Sequence, residues 1–255
     1  MARIIAVVNQ KGGVGKTTTS VNIAASLSAT KRKTLLVDLD PQGNATSGSG
    51  VDKENVELSI YDLLVETQGV RSCILPDVAA GYDLIPSNSD LTGAEVALLD
   101  MPDREYLLEK ALRSIEADYS YIFIDCPPSL NMLTINALVS ADSLLIPAQC
   151  EYYALEGLSS LMSTIEKIKV SLNPSLKIDG LLRTMFDPRN NLALEVSKQL
   201  TDHFGDLVYR TVIPRNIKLA EAPSHGLPAL LYDRSSSGAA AYLALAGEML
   251  RKESA

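Results

Sequence analysis

The chain has 255 residues, of which 46% are hydrophobic and 21% are charged, and its formal net charge is -8. These proportions exclude an intrinsically disordered chain. Three widely spaced cysteines, without a CxxC pair or a Cys/His cluster, exclude a disulfide framework and a structural zinc site. No secretory signal opens the chain and no run of about 18 apolar residues is present, so a cytoplasmic protein is expected.

Short apolar runs alternate along the chain with longer helical patterns. The runs predicted as strands are residues 4–8, 34–37, 82–85, 121–124, 143–146, 178–182 and 207–213. The segments predicted as helices are residues 18–29, 104–117, 133–139, 156–170, 192–204 and 238–250. This alternation predicts an α/β fold, in which a mostly parallel twisted sheet carries helices on both faces. Residues 43–55 are predicted as a loop, and residues 1–255 as one domain.

The segment between the first predicted strand and the first predicted helix has the composition of a phosphate-binding loop. It reads Lys11-Gly12-Gly13-Val14-Gly15-Lys16-Thr17-Thr18, and we call it the phosphate loop. Glycines let backbone N–H groups turn toward phosphate oxygens, and the following helix N-terminus adds partial positive charge. Lys16 is predicted to reach the β- and γ-phosphates, and the Thr17 hydroxyl to bind Mg²⁺. The sequence therefore predicts nucleotide binding.

This loop departs from the common GxxxxGK[ST] spacing. The position that should hold the first glycine is Gln10, and an additional lysine, Lys11, precedes the glycines. Two cations on one loop repel each other unless an anion neutralises them, so the second lysine also points to a phosphate ligand.

Two predicted strands end in aspartate. Asp125 follows four apolar residues and has the position of a Walker B aspartate, which helps to hold Mg²⁺. Asp38 and Asp40 are two residues apart, so their side chains share a face if the strand continues. Asp40, on the turn, is the better candidate for orienting the attacking water, and Asp38 for supporting the metal. The alternative is that these aspartates only cap turns.

These motifs resemble those of the ParA/MinD-type ATPases, which have a deviant Walker A loop. Further segments resemble the ParA branch, including its chromosomal Soj type, and the likeness extends in order over essentially the whole chain. These segments are residues 38–44, 124–128, 151–157, 212–216 and 219–223.

The resemblance implies an ATP-dependent switch that partitions DNA, with ATP and Mg²⁺ as cofactors. ATP would bridge two subunits in a sandwich homodimer, with Lys11 reaching the phosphates bound by the partner. Asp40 would position water, Pro214 and Asn216 would contact adenine, and Glu151 would reach nucleotide across the dimer. The dimer would bind double-stranded DNA nonspecifically on the nucleoid. A ParB-type centromere-binding protein would stimulate hydrolysis and release the dimer.

A basic segment makes DNA binding compatible with the acidic composition. Residues 177–218 carry seven basic and five acidic side chains, a local charge of +2 on a chain of net charge -8. The family places DNA-binding residues near Arg189, Arg215 and Lys218. The alternative is that these three are ordinary solvated charges. No helix-turn-helix or zinc finger appears, so sequence-specific recognition is not expected.

Two other branches of this fold remain as alternatives. The MinD branch binds membranes through a C-terminal amphipathic helix with a basic face. Here residues 238–250 carry one charge, Glu248, and are predicted to form a final helix packed on the core. Nitrogenase iron proteins hold an iron–sulfur cluster with two cysteines from each subunit, a role open to Cys126 and Cys150. Buried free cysteines are the more frequent arrangement.

Overall fold

The computed structural model describes residues 1–78 and 81–253, and its eight strands lie in one sheet. The strands are β1 (Arg3–Val7), β2 (Thr34–Asp38), β3 (Leu75–Val78), β4 (Tyr82–Ile85), β5 (Tyr121–Asp125), β6 (Ser143–Gln149), β7 (Lys177–Phe186) and β8 (Val208–Pro214).

Helices connect most of the strands. The α-helices of the described residues are α1 (Lys16–Ala29), α2 (Asn44–Gly48), α3 (Ile60–Leu64), α4 (Ala94–Leu98), α5 (Leu107–Arg113), α6 (Met132–Ser140), α7 (Ala154–Ser171), α8 (Asn191–Phe204), α9 (Ile217–Glu221), α10 (Ala229–Tyr232) and α11 (Ser237–Glu253). Short 3-10 turns lie at Lys53–Asn55, Val70–Cys73, Ser89–Gly93, Glu116–Asp118, Gly205–Leu207 and Ala222–His225.

The strand order is β3-β4-β2-β5-β1-β6-β7-β8, and all neighbours are parallel except β3 and β4. Strand β1 lies between β5 and β6, so the phosphate loop leaves the middle of the sheet. The carboxyl ends of parallel strands share one edge, where ligands bind in such folds. The aspartates after β2 and β5 therefore lie on one side of the phosphate loop, and the segments after β7 and β8 on the other.

The sheet is buried on both faces, which explains the nearly continuous apolar strands. Alternate strand residues contribute to two separate hydrophobic cores. One core is covered by helices that include α5, α6, α7 and α8, and the other mainly by α1 and α11. The predicted α/β fold, with a mostly parallel sheet and helices on both faces, is confirmed. That residues 1–255 form one domain stays a prediction.

All seven predicted strands are present, and the eighth, β3, was not predicted. It pairs antiparallel with β4 at the edge of the sheet and contains Pro76, a residue that strands accept mainly at edges. The composition of this run gave no strand signal. In the structure, Asp77 within it has a left-handed φ of 53°.

Two predictions of local structure were wrong. The predicted loop 43–55 contains α2 and a 3-10 turn. The carboxylate of Asp38 accepts from the Thr46 backbone N–H and so caps α2, whereas the side chain of Asp52 caps the 3-10 turn. The predicted helix 104–117 is limited to α5. The side chain of Asn136 donates to the Arg104 carbonyl and accepts from the Leu108 N–H, so a residue of α6 fixes the start of this helix.

Helix α11 packs on the core as predicted. Its buried residues include Tyr242, Leu245 and Met249, so its apolar face is covered by the rest of the protein. Glu248 of the same helix accepts hydrogen bonds from the backbone N–H groups of Arg210 and Thr211 in β8, at 2.8 Å and 2.9 Å. Within residues 1–78 and 81–253, no helix has the length and hydropathy of a membrane span.

Candidate nucleotide-binding site

A cavity of about 640 Å³ opens at the carboxyl edge of the sheet, above β1, β2 and β5. Its walls are the phosphate loop, the turn after β2, the loop after β5 and residues near α4. The lining residues are Gly12, Gly13, Gly15, Lys16, Thr17, Thr18, Asp40, Pro41, Gln42, Asn44, Thr92, Glu95, Pro127, Pro128, Ser129, Asn131 and Met185. The structure thus brings the predicted phosphate-binding residues and Asp40 into one cavity.

The glycines of the phosphate loop allow its backbone to wrap around an anion. Gly13 and Gly15 have φ angles of 75° and 88°, in the left-handed region that favours glycine. Between them Val14 is buried, and its carbonyl accepts a hydrogen bond from the Thr184 hydroxyl at 2.8 Å. The loop is therefore fastened to the end of β7.

Lys16 is almost completely buried, with 7% of its surface exposed. Its ammonium donates to the carbonyl of Lys11 at 3.4 Å, which holds it beneath the loop. Burial lowers the pKa of Lys16, and the nearby negative charge of Asp125 opposes that shift. A phosphate group would supply the anionic contact that a buried ammonium requires.

Lys11 is exposed and directly precedes Gly12, the first residue of the phosphate loop that lines the cavity. Its ammonium forms an ion pair of 2.6 Å with Glu151, which follows β6, and both side chains are about half exposed. The Lys11 backbone N–H donates to the side chain of Asn9, whose amide in turn donates to the Pro147 carbonyl. Lys11 and Glu151 are therefore neighbours within one chain.

Asp125 is fully buried at the end of β5. Its Oδ1 accepts a hydrogen bond of 2.8 Å from the Ser20 hydroxyl, whereas Oδ2 has no hydrogen-bond partner among the described residues. Burial raises the pKa of Asp125, and the charge of Asp38 raises it further. An unpaired buried carboxylate oxygen is costly. This site therefore suits a cation.

Asp38 is also fully buried, but its oxygens are already bound. Oδ2 accepts from the backbone N–H and the hydroxyl of Thr46, both at 2.7 Å, and Oδ1 accepts from the Asp40 N–H at 3.2 Å. Burial is the main cause of its raised pKa. In this structure Asp38 organises α2 and the turn that carries Asp40, and its predicted part in a metal shell stays a prediction.

Asp40 follows β2 and faces the cavity with 9% of its surface exposed. Its Oδ1 accepts from the Gln42 N–H at 2.9 Å, and its carbonyl accepts from the Ser87 hydroxyl at 2.8 Å. Two hydrogen bonds therefore hold the turn, and Oδ2 has no hydrogen bond to another described residue. This geometry suits a carboxylate that accepts a hydrogen bond from water.

The residues present fit a Mg²⁺ ion that is held partly by the protein and partly by phosphate and water. No group of three or more His, Cys, Asp or Glu side chains in the described part of the chain forms an all-protein metal cage. Mg²⁺ prefers a few protein oxygens completed by water and phosphate oxygens. The free Oδ2 of Asp125 and the Thr17 hydroxyl on the cavity wall supply such oxygens.

The two residues predicted to contact adenine lie at the carboxyl end of β8 and directly after it. Pro214 ends β8, and Asn216 caps α9 by accepting from the Leu219 N–H, while its amide donates to the Ser237 hydroxyl at 2.8 Å. Both polar groups of Asn216 are thus used within the chain, and its predicted contact with adenine stays a prediction.

The three predicted DNA-binding residues follow β7 and β8. Arg189 is 88% exposed and forms a two-point ion pair with Asp187, lowering the pKa of that carboxyl to about 2. Arg215 is exposed, and Lys218 pairs with Glu221 at 2.9 Å. All three side chains are accessible to a polyanion, which would compete with these exposed carboxylates.

The cysteines are buried free thiols. Cys73, Cys126 and Cys150 have at most 7% of their surface exposed, and burial raises the pKa of each thiol. This is the arrangement expected of cysteines that fill the core.

Several residues of the site were not identified from the sequence. Thr184 fastens the phosphate loop, Ser20 binds Asp125, and Thr46 binds Asp38. Met185 lines the cavity with a left-handed φ of 50°, and its sulfur accepts from the Gln149 amide at 2.7 Å. Only Ser20 had a usable signal, since it lies one helical turn after Lys16.

Comparison with known proteins places this geometry in context. Residues 2–178 match the AAA domain family. The sporulation initiation inhibitor protein Soj of Bacillus subtilis (strain 168) is 53% identical over 249 residues, which cover 98% of this chain and 98% of that protein. The chromosome partitioning protein ParA of Myxococcus xanthus (strain DK1622) is 50% identical over 253 residues, 99% of this chain and 89% of that protein.

A solved structure has the same fold over the full length. The crystal structure of cobyrinic acid a,c-diamide synthase from Mycobacterium smegmatis, with bound ADP and magnesium, is 37% identical to this chain. It superposes with a TM-score of 0.87, and the alignment covers 100% of this chain and 96% of that one.

Proposed function

Because the chain belongs to the ParA/Soj family of chromosome-partitioning ATPases, we propose that it couples MgATP hydrolysis to reversible dimerisation and nonspecific DNA binding. The observation that carries this proposal is one cavity lined by both Asp40 and the phosphate loop, whose additional lysine, Lys11, is exposed directly before the first lining glycine. The synthase named above is a more distant relative, at 37% identity, so partitioning is the better supported function.

ATP and Mg²⁺ are the cofactors that the site fits. ADP and magnesium are bound in the 37% identical structure, and the cavity of this chain is lined by residues of the phosphate loop. Thr17 and Asp125 would hold Mg²⁺, with Asp38 behind them fixing the turn after β2. The bound metal would neutralise charge on the phosphate oxygens.

Hydrolysis would proceed by in-line attack of water on the γ-phosphate. Lys16 would place its ammonium against the phosphates and stabilise the charge that develops in the transition state. Asp40 would accept a hydrogen bond from the attacking water and aim its lone pair at phosphorus. The backbone N–H groups of Gly12, Gly13, Val14, Gly15 and Thr18 would hold the phosphates in register.

Dimerisation would use the exposed lysine of the phosphate loop. Lys11 would leave Glu151 of its own chain and contact the phosphates bound by the partner, and Glu151 would reach the partner's nucleotide. Exposed ion pairs contribute only ~0–1 kcal/mol, so the pair between Lys11 and Glu151 is a weak barrier to this exchange.

Replacing Lys11 by alanine separates nucleotide binding from dimerisation. We expect Lys11→Ala to bind MgATP with nearly unchanged affinity, since Lys16 and the loop backbone remain, but to stay monomeric. Sedimentation velocity with a slowly hydrolysed ATP analogue measures the dimer, and a fluorescent analogue measures binding. Lys169→Ala, which removes another partly exposed lysine paired with a glutamate, is the control and should dimerise normally. A Lys11→Ala protein that dimerises like its parent contradicts this role.

The dimer is proposed to bind double-stranded DNA through Arg189, Arg215 and Lys218, and to be released when a ParB-type centromere-binding protein stimulates hydrolysis. Two copies present these basic residues twice, and linked weak contacts gain from their effective concentration. DNA binding would place the protein in the cytoplasm, associated with the nucleoid. Residues 1–255 are proposed to form one domain.

The experiment that tests this function is duplex binding with ATP, with ADP and without nucleotide, at two salt concentrations. We expect binding only with ATP and weaker binding at higher salt, because phosphate contacts release counterions. Removing Arg189, Arg215 and Lys218 together should weaken binding about tenfold or more and flatten the salt dependence.

A matched variant controls for the loss of three positive charges. Arg32→Ala/Lys110→Ala/Lys167→Ala removes exposed basic residues outside the segment 177–218 and should bind DNA almost as the parent does. Equal losses in both triple variants would show a diffuse charge effect. If the protein binds no DNA in any nucleotide state, the proposed DNA binding is wrong, and the ATPase acts on a membrane or a protein instead.

A further inference from the structure

The segments that follow β7 and β8 lie side by side. Phe186 of β7 pairs with Pro214 of β8, and the Arg215 backbone N–H donates to the Phe186 carbonyl at 3.2 Å. Arg215 also lines a small pocket together with Asp187. Two of the residues proposed to bind DNA, Arg189 and Arg215, are therefore on neighbouring segments, and Asp187 is close to both.

The carboxylate of Asp187 opposes both of these cations. Its two oxygens accept hydrogen bonds from Arg189 at 2.9 Å and 2.7 Å, in the two-point geometry with which a guanidinium also binds phosphate. These hydrogen bonds are the main cause of the lowered pKa of Asp187, and the charge of Arg215 lowers it further. The carboxylate is therefore ionised at neutral pH, and a DNA phosphate must displace it to reach the same donors.

Lys218 is held by a carboxylate in the same way. Its ammonium donates to Glu221 at 2.9 Å, and the Tyr232 hydroxyl donates to the same carboxylate oxygen at 3.1 Å. The ammonium also lies 5.5 Å from the centre of the Tyr232 ring. Tyr232 thus helps to keep both members of the ion pair together.

The charges at the three proposed DNA-binding positions nearly cancel within one copy of the chain. Arg189, Arg215 and Lys218 carry three positive charges, and Asp187 and Glu221 carry two negative charges, so one positive charge remains. Nonspecific affinity for DNA increases with the number of phosphates that the protein neutralises. A single copy therefore gains little from binding DNA, whereas two linked copies bind through both sets of cations at once.

We propose that Asp187 and Glu221 form autoinhibitory contacts, which keep the DNA affinity of a single copy low and so make DNA binding depend on the dimer. This inference rests on the proposed DNA-binding function and adds the residues that suppress binding by the monomer. Exposed ion pairs are weak, so a polyanion displaces both carboxylates once two copies bind it together.

The test compares Asp187→Asn/Glu221→Gln with the parent in duplex DNA binding, without nucleotide and with a slowly hydrolysed ATP analogue. The amide oxygens can still accept from the Arg189 N–H and the Tyr232 hydroxyl, so the unfolding temperature should stay close to that of the parent. Without nucleotide, we expect the variant to bind DNA about tenfold more tightly or better, and to remain bound at higher salt. Sedimentation velocity without nucleotide should show that it is still a monomer.

A control variant has the same change in net charge at other positions. Asp103→Asn/Glu166→Gln removes the carboxylates of two other surface ion pairs, which they form with Lys110 and Lys169. This variant should bind DNA as the parent does in each nucleotide state. An equal gain in affinity in the control would show that overall charge is the cause, and would overturn the inference.

A double-mutant cycle tests whether the carboxylates act on the proposed cations. In a protein that already carries Arg189→Ala/Arg215→Ala/Lys218→Ala, adding Asp187→Asn/Glu221→Gln should give no gain in DNA affinity, because no cation is left to release. A tenfold gain that persists in this background contradicts the inference.

The outcomes distinguish the inference from the function on which it rests. If neither the parent nor the variant binds DNA in any nucleotide state, the proposed DNA binding and the inference are both wrong. If the parent binds DNA with the ATP analogue, and the variant still fails to bind without nucleotide, only the inference is wrong. A variant that dimerises without nucleotide also overturns the inference, because dimerisation then explains its binding.

Discussion

Replacing Lys16 by alanine should abolish nucleotide binding. The ammonium is buried under the phosphate loop, and the loop glycines supply only neutral N–H groups, so no other described residue on the cavity wall offers a positive charge to the β- and γ-phosphates. Charge-assisted hydrogen bonds in a buried site are the strong ones. We expect the affinity for ATP to fall about a hundredfold or more, measured by titration with a fluorescent analogue.

The Lys16→Ala protein should nevertheless fold, because Val14 and Thr184 still fasten the loop to β7. Its unfolding temperature without nucleotide should match that of the parent, and only the parent should gain stability when MgATP is added. Lys167→Ala, at an exposed position of α7, controls for the loss of a lysine. If MgATP still stabilises Lys16→Ala, the assignment of Lys16 to the phosphate site is wrong.

Replacing Asp40 by alanine should stop hydrolysis and spare binding. Asp40 faces the cavity from a turn held by two hydrogen bonds, and its free oxygen is placed to accept a hydrogen bond from water. Loss of an orienting carboxylate should lower single-turnover hydrolysis about a hundredfold or more. Because ATP then persists, the variant should accumulate as a dimer on DNA, which sedimentation with duplex DNA measures.

Asp40→Asn keeps the acceptor for the Gln42 N–H and should show the same trapped state, so a distorted turn is not the cause. Asp100→Ala, at an exposed position, should hydrolyse normally. An Asp40 variant that binds ATP but no longer dimerises would contradict the assignment of Asp40 to water and move it into the dimer contact.

The sequence predicted those parts of the fold that depend on local pattern. The apolar runs identified seven strands, because a strand covered on both faces needs nearly every residue to be apolar. Strand β3 and helix α2 depend instead on distant partners. β3 is held by β4, and α2 is capped by Asp38 of β2, so neither carries a signal in its own residues.

The site shows the same division. The glycines and lysines of the phosphate loop are close together in the chain, so their pattern alone predicted nucleotide binding. By contrast, tertiary packing determines the other features of the site. It leaves one oxygen of Asp125 unpaired, binds the oxygens of Asp38, and brings the Thr184 hydroxyl to the Val14 carbonyl. The contact between Lys11 and Glu151, which are far apart in the chain, was likewise beyond any local pattern.

The two outer strands show how the fold keeps its sheet from growing. The backbone N–H groups of Arg210 and Thr211 in β8 are occupied by the Glu248 carboxylate, and Pro76 in β3 has no N–H to offer. A strand from another molecule therefore finds few free donors at either edge, and open-ended sheet polymerisation is disfavoured. For the proposed ATP-dependent dimer, blocked sheet edges would leave the nucleotide-binding face as the surface of assembly.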